Sequence, residues 1–238
     1  MNQLPEGSRL LYKVLSGSHA TNLVTPTSDE DWRGVYQVPT RTLLGLQQPP
    51  ETVEVPPDET YWELGHFARL CLKGNPNIME LLWIGPQHPQ FQDGYFETDV
   101  IGEIIAIRTS FFTTSMIRSY IGWVGKERRI LGGYMVGTDG STPETATKLT
   151  GKRGSHLVRL LLGLKAALTE GWLPVYLEGD ARDQVMAIKM GEWSATRVLF
   201  TIDILTEQCK ALELTAKWPE PDPKPIEDIV VRARMEML

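Results

Sequence analysis

The spacing of apolar residues changes near residue 97, and this change constrains the fold more than any other feature of the sequence. Before it, short apolar runs separated by turn residues predict strands at 10–15, 31–38, 52–55 and 60–64, with helices at 66–73 and from 78. Beyond it, apolar residues recur with a helical period over 97–131, 155–169, 181–190 and 194–216, with one short strand at 175–177. We therefore predict an α+β chain, with strands and helices in the first half and a mostly helical C-terminal half.

The same change suggests how the chain is divided. We predict two domains, 1–96 and 97–238. The Gly- and Thr-rich stretch 132–147 is predicted to be a mobile loop. The proline-rich stretch 219–225 is predicted to be a connector.

Composition excludes several classes of protein. The longest apolar runs are too short to cross a bilayer, and the N-terminus lacks the basic and apolar stretches of a secretory signal, so no membrane partner is expected. The two cysteines, Cys71 and Cys209, are too few for a disulfide framework or a zinc site. They indicate a reducing compartment, and we predict a cytoplasmic protein.

Charge is distributed unevenly along the chain. The net charge of −6 argues against a protein that simply coats nucleic acid. Residues 1–100 carry a net −7, residues 101–165 a net +6 and residues 166–238 a net −5. A positive middle segment suits a protein that meets a polyanion at one face, although solvated helices produce the same clustering.

Two carboxylates with strand spacing are the first chemical signal. Asp29 and Asp31 lie two residues apart at the predicted start of a strand, so both point to one side while Glu30 points away. Paired carboxylates on a rigid element suit Mg²⁺ (or Mn²⁺), which shares its remaining sites with water and substrate phosphates. Such ions can stabilise the attacking and leaving oxygens of a phosphoryl transfer.

A glycine turn lies a dozen residues upstream. Gly17 and Ser18 follow an apolar strand, and glycine lets a backbone approach a phosphate closely. The following N–H groups and the Ser18 hydroxyl are candidates for binding a triphosphate. Either signal alone is weak, but a strand, a Gly–Ser turn and an S-D-x-D strand in succession are much more specific.

This succession resembles the nucleotidyltransferases of the DNA polymerase β superfamily, whose pattern is a Gly–Ser turn followed by a D-x-D strand. Within that superfamily the chain is most similar to the predicted nucleotidyltransferase group associated with RNA repair (RlaP-like). The resemblance rests on GSHATNLVTPTSDEDWRGVY at 17–36, ELGHFARLCLKGNPNIMELLW at 63–83, KRGSHLVRLL at 152–161 and AIKMGEW at 187–193. It implies a polymerase-β-like nucleotidyltransferase fold, a small mixed sheet flanked by helices, in the N-terminal catalytic domain 1–96. It also implies that the helical domain 97–238 completes the active-site cleft.

The resemblance also implies a third carboxylate on a neighbouring strand. The candidates are Asp58, just before the 60–64 strand, and Glu63 within it. Alternation puts them on opposite faces of a regular strand, so at most one can join Asp29 and Asp31 without a bulge. Asp58 is favoured because it matches an acidic position at the start of the family's strand, whereas Glu63 is better placed within the strand.

Candidate nucleotide-binding residues near the turn each have an alternative role. His19 is a candidate for a γ-phosphate contact or is only a surface residue. Arg33 either neutralises phosphate or forms an ion pair with Glu30 or another nearby acid. Lys73 and Asn75 are candidates for lining the nucleotide pocket, but the Asn–Pro step equally predicts a helix stop and an N-cap.

Lys152, His156 and Arg159 recur at helical spacing and are expected to share one helix face. That face is a candidate for binding a triphosphate or the backbone of an acceptor strand, and its alternative is a solvated polar face. In both cases we expect the three side chains to point away from the core. The resemblance favours the functional role.

These observations predict a Mg²⁺-dependent enzyme that transfers a nucleoside monophosphate from an NTP to a hydroxyl acceptor and releases pyrophosphate. The resemblance makes a nucleic-acid 3′ end, RNA rather than DNA, the expected acceptor. Two alternatives stay open: transfer to a protein or small-molecule hydroxyl, and a catalytically degenerate nucleotide-binding module.

Overall fold

A computed structural model describes residues 4–46, 48–91, 94–136 and 143–238. The chain divides into two compact units: unit 1 comprises Met1–Phe111 and Pro221–Leu238, and unit 2 comprises Phe112–Glu220. The predicted boundary at residues 96 and 97 concerns functional domains and stays a prediction.

Unit 1 is built around a mixed sheet. Its strands are β1 (Arg9–Leu15), β2 (Trp32–Gln37), β3 (Thr52–Val55), β4 (Glu59–Glu63) and β5 (Tyr95–Phe96). In the described part of the chain they form a five-stranded sheet in the order β3-β4-β2-β1-β5. β2 and β4 run parallel, and the other neighbouring pairs run antiparallel. The α+β class and the four strands predicted in the first hundred residues are confirmed.

Helices complete unit 1. They are α1 (Gly17–Ala20), α2 (Thr40–Leu43), α3 (Leu64–Leu72), α4 (Pro76–Leu81), a π-helical turn (Thr98–Gly102), α5 (Glu103–Ala106), a 3₁₀ turn (Arg108–Phe111) and α10 (Lys224–Met235). The core between sheet and helices includes Leu11 and Val35, both fully buried. Tyr12 reaches from β1 into this core, where its hydroxyl donates to the carbonyl of Leu81 (2.7 Å).

The helix α10 returns to the sheet although it follows unit 2 in the chain. Gln37 at the end of β2 donates its side-chain amide to the carbonyl of Ala233 (2.8 Å). The backbone N–H of Thr40 donates to the carbonyl of Met237 (3.2 Å). Unit 1 is therefore assembled from two separate stretches of sequence.

The regular elements of unit 2 within its described residues are all helices. It contains α6 (Thr114–Val136), α7 (Pro143–Glu170), α8 (Gly179–Lys189) and α9 (Ala195–Thr215). α7 packs against the other three helices. Its buried stripe consists of Leu157, Leu160, Leu161 and Leu164. None of the helices within the described ranges combines the length and apolar character that a bilayer crossing requires.

Three predictions in the second half of the chain need correction or qualification. The stretch 97–131 is not one helix, because the Thr113 hydroxyl accepts from the N–H of Met116 (3.4 Å) and starts a new helix there. Residues 175–177 form no strand, since Val175 and Leu177 are buried by packing rather than by strand pairing. The predicted loop 132–147 is helical up to 136 and from 143, and its centre lies outside the described residues.

Candidate active site

The bend after β1 brings the backbone of Gly17 against the Asp31 carboxylate. β1 ends at Leu15, and Ser16 donates its backbone N–H to the carbonyl of Asp31 (2.8 Å). Gly17 has a φ of +59°, a left-handed conformation that only glycine adopts freely. A β-carbon at this position would overlap Oδ2 of Asp31 and lie 3.1 Å from its Cγ. The turn thus requires glycine both for its backbone conformation and for lack of space for a side chain. The same contact shows that the turn and Asp31 are immediate neighbours.

Hydrogen bonds hold the residues after this bend in a single helical turn. The buried Thr21 hydroxyl donates to the carbonyls of Gly17 (3.0 Å) and Ser18 (3.3 Å). The backbone N–H of Leu23 also donates to the carbonyl of Ser18 (2.9 Å). Ser18 and His19 lie in this turn with partly exposed side chains. Both side chains are therefore carried on a fixed backbone next to Asp31.

Asp29 and Asp31 lie just before β2 in a segment without regular secondary structure, because the strand itself begins at Trp32. Asp29 is exposed. Arg33 donates from Nη2 to Oδ1 of Asp31 (3.1 Å) and from Nη1 to the carbonyl of Asp58 (3.0 Å). Of the two roles considered for Arg33, the structure shows the ion pair with a nearby acid, Asp31. The two side chains keep 26% and 34% exposure, so the pair is worth about 1 kcal/mol or less and a charged ligand can displace it.

Asp58 is the neighbour of Asp31 in the sheet register. β2 and β4 are parallel with Trp32 opposite Glu59, so the residues that precede these two, Asp31 and Asp58, come next along the ladder. The backbone N–H of Trp32 donates to the carbonyl of Asp58 (3.0 Å). The Asp58 side chain is exposed. The backbone therefore places Asp58 next to Asp31 along the strands, and its part in a metal site stays a prediction.

Glu63, the other candidate, holds the start of α3. Its side chain is nearly buried, and its Oε2 accepts from the N–H groups of Gly65 (2.8 Å) and His66 (3.2 Å). The guanidinium of Arg234 lies 3.1 Å from its other oxygen. A carboxylate used as an N-cap and as a buried ion-pair partner cannot turn elsewhere without freeing a helix end and a charge. This favours Asp58 as the third carboxylate.

The donor set fits a divalent cation only in part. Within the described ranges, no three His, Cys, Asp or Glu side chains are gathered closely enough to hold a metal ion. Asp29 and Asp31 supply hard oxygen donors of the kind that Mg²⁺ takes from proteins, one or two carboxylates with several waters completing the shell. The chemistry of these two residues therefore fits Mg²⁺ without requiring a closed protein cage.

The Lys73–Asn77 segment has the structural role that its sequence allows. Lys73 is an exposed C-cap of α3, and Gly74 follows with a φ of +62°. The Asn75 side chain accepts from the N–H groups of Asn77 (3.1 Å) and Ile78 (3.4 Å), so it is the N-cap of α4. The segment therefore ends α3 and caps α4, as the structural alternative predicted. A nucleotide contact by Lys73 or Asn75 stays a prediction.

In unit 2, the three predicted residues of α7 differ strongly in their surroundings. Lys152 is exposed, but Arg159 is only 7% exposed, so the expectation that all three point away from the core is wrong for Arg159. Its Nη2 lies 2.9 Å from Nδ1 of His156, and the Trp123 ring meets the imidazole edge-on at 5.1 Å. Burial, with the Arg159 charge, lowers the pKa of His156 to about 3. His156 is thus a neutral acceptor and not a phosphate-binding cation.

A second polar cluster was missed from the sequence. On one face of the sheet, Lys13 forms an ion pair with Glu59 (2.9 Å) and lies over the rings of Trp32 (4.9 Å) and Tyr61 (5.7 Å). Burial lowers the pKa of Lys13, but hydrogen bonds with Tyr61 and Glu59 outweigh it and the pKa is raised. Lys13, Glu59 and Tyr61 border a cavity of about 880 Å³ in unit 1. A lysine within the apolar β1 run was the one available signal.

Comparisons with known proteins identify the family. The model of the RlaP family, described as the RNA repair pathway DNA polymerase beta family, matches residues 3–188, more than half of the chain. Comparisons with curated proteins and with solved structures gave no match. The fold, an α+β unit with a mixed sheet followed by helices, is consistent with the polymerase-β type. The chain belongs to the RlaP family, a DNA polymerase β family of an RNA repair pathway.

Proposed function

We propose that this protein transfers a nucleoside monophosphate from an NTP to a hydroxyl acceptor and releases pyrophosphate. The contact between the Gly17 bend and the Asp31 carboxylate carries this proposal, because it joins a closely approachable backbone to a metal-binding type of side chain. Membership of a polymerase β family supports the reaction class.

Asp29, Asp31 and Asp58, the last of which is next to Asp31 along the strands, are the residues proposed to hold Mg²⁺ or Mn²⁺. A bound divalent ion would supply charge neutralisation for the phosphates and for the reacting oxygens. Arg33 is proposed to release Asp31 and to pair with a phosphate instead, since its present ion pair is partly exposed and weak.

The chain's own groups are proposed to orient the substrate. The backbone after Gly17, with the Ser18 hydroxyl and the His19 ring, would donate hydrogen bonds to the triphosphate. One of the carboxylates would accept the proton of the attacking hydroxyl, which makes that oxygen a better nucleophile. Lys73 and Asn75 are proposed to lie near the nucleoside.

A nucleic-acid 3′ end, RNA in particular, is the proposed acceptor. The RNA-repair description of the family and the net +6 of residues 101–165 support it. Screening labelled NTPs against RNA, DNA, protein and small-molecule acceptors distinguishes it from the other hydroxyl acceptors.

The double variant Asp29→Asn, Asp31→Asn tests the reaction. We expect loss of labelled NMP incorporation, with a melting temperature within about 3 °C of the parent because both groups are at least partly exposed. Glu30→Gln is the matched control, because Glu30 is exposed and lies between the two aspartates. Full incorporation by the double variant, or equal loss in the control, would exclude the proposed site.

A nucleotide-binding module without turnover is the second candidate. It is favoured by the Arg33–Asp31 ion pair and by the use of Glu63 as a helix cap. Mg²⁺-dependent NTP binding in calorimetry without pyrophosphate release, over the full set of acceptors, would support the module and contradict the transferase.

A further inference from the structure

The side chain of Lys13 extends from β1 across β2 to β4. Lys13 lies opposite Gly34 of β2, and Gly34 lies opposite Tyr61 of β4. A β-carbon on Gly34 would lie only 2.6 Å from the Tyr61 ring, so this position has no room for a side chain. Because Gly34 has none, the Tyr61 ring lies over the backbone of β2, and the ammonium of Lys13 reaches the Glu59 carboxylate of β4 (2.9 Å).

Neighbouring groups hold this ion pair in place. The ammonium of Lys13 lies 4.9 Å from the centre of the Trp32 ring, within the range of a cation–π attraction. The Tyr61 hydroxyl donates to the Glu59 carboxylate. The side chains of Lys13 and Glu59 are only 26% and 24% exposed, and salt screens such pairs less than it screens pairs on the surface. The pair is therefore a fixed link between β1 and β4 that passes over β2.

The three strands joined in this way carry the residues of the candidate active site at their ends. The Gly17 bend follows the end of β1. β2 begins at Trp32, immediately after Asp31, and β4 begins at Glu59, immediately after Asp58. Trp32 and Glu59 form the first pair of the parallel ladder. Asp31 and Asp58 therefore lie just outside the ladder, next to the ion pair.

The two strand ends that carry Asp31 and Asp58 need such a link. Their like charges repel, which favours separation of the ends when no cation is bound. Arg33 also joins them, through Oδ1 of Asp31 (3.1 Å) and the carbonyl of Asp58 (3.0 Å). In the proposed reaction, however, Arg33 leaves Asp31 for a phosphate. The pair of Lys13 and Glu59 takes no part in that exchange and continues to oppose the separation.

We propose that Lys13 and Glu59 are positioning residues, whose ion pair holds the Gly17 bend, Asp31 and Asp58 at the spacing that a divalent cation requires. Neither side chain touches metal or substrate in this role. Groups that orient metal ligands typically change metal affinity or activity about 10–100-fold when they are mutated. The inference rests on the proposed function, because it concerns the same site.

Titration of the full chain with Mn²⁺, followed by electron paramagnetic resonance, tests this role without any need for turnover. We expect Lys13→Met and Glu59→Gln each to weaken Mn²⁺ binding about tenfold. The double variant should lose little more than either single variant, because the two residues act as a pair. In NMP incorporation, the Mg²⁺ concentration for half-maximal rate should rise by a similar factor. Arg9→Gln is the matched control, because Arg9 forms an ion pair with Glu97 at the opposite end of β1.

The melting temperature separates positioning from stabilisation of the sheet. Unchanged Mn²⁺ affinity in both variants, together with lower melting temperatures, would show that the pair only stabilises the sheet. An affinity loss of the same size in Arg9→Gln would equally overturn the positioning role. Glu59→Gln keeps the shape of the side chain, so it stays informative if Lys13→Met fails to fold.

The Asp29→Asn, Asp31→Asn protein separates this inference from the proposed function. If it loses Mn²⁺ binding while the Lys13 and Glu59 variants keep it, the positioning role alone fails. If it keeps Mn²⁺ binding, the metal site fails and the positioning role fails with it. Weaker Mn²⁺ binding by the Lys13 and Glu59 variants, in a protein whose parent transfers no NMP, would support the positioning role and contradict the transfer reaction.

Discussion

Replacing Gly17 with alanine would separate two effects that meet at the candidate active site. Alanine at a φ of +59° costs about 1–2 kcal/mol through its left-handed backbone alone. The new β-carbon also overlaps Oδ2 of Asp31, so the carboxylate must move and its hydrogen bond to Arg33 is lost, for about 1 kcal/mol more. We expect a total loss of about 2–3 kcal/mol in the free energy of unfolding.

Two controls isolate the carboxylate contribution in urea unfolding. Gly179→Ala places alanine at a φ of +54° with no neighbouring atom within 4 Å of its β-carbon, so it reports the backbone cost alone. Gly17→Ala in an Asp31→Gly background removes the overlap, and its cost should fall to that of Gly179→Ala. Equal losses from Gly17→Ala in the parent and in the Asp31→Gly background would refute the contact between the bend and the carboxylate.

Two other predictions concern stability. Glu63→Gln should lower the free energy of unfolding by about 2–4 kcal/mol, because it leaves Arg234 without its buried counter-charge and weakens the cap of α3. Asp58→Asn changes an exposed side chain and should lower it by less than about 0.5 kcal/mol. Similar melting temperatures for the two variants would contradict the roles assigned to them. The pKa of His156 is about 3 in the folded protein and near 6.5 in the unfolded chain. As the pH falls, the unfolded chain therefore takes up this proton first, and the free energy of unfolding decreases by at most about 2 kcal/mol between pH 7 and pH 5. His156→Gln should lose less stability over that interval in urea titrations, and an unchanged difference from the parent would rule out a buried neutral imidazole.

The sequence predicted the sheet well because local chemistry determines it. Apolar runs ending at Gly17 and Pro39 fixed where strands stop, and β1 and β2 fall within one or two residues of the predicted ranges. The closeness of the Gly17 bend to Asp31 follows from the antiparallel pairing of those two strands.

What the sequence did not reveal depends on residues distant in the chain. By its position in the strand, Glu63 was a candidate for the third carboxylate. Its actual partner, Arg234, lies 171 residues later in α10, and only the folded structure brings the two together. Arg159 has helical spacing with Lys152, but the helices around α7 bury it.

The return of α10 to the sheet has a consequence for biosynthesis. A ribosome must make all of unit 2 before Gln37, Thr40 and Glu63 can meet their partners in the final helix. Until the intervening helices have emerged, the Glu63 carboxylate in the nascent sheet therefore lacks its counter-charge. Cleavage or fusion just after residue 223 would consequently destabilise the N-terminal sheet first, because it disturbs the contacts of α10. The altered position is almost two hundred residues from that sheet in the sequence.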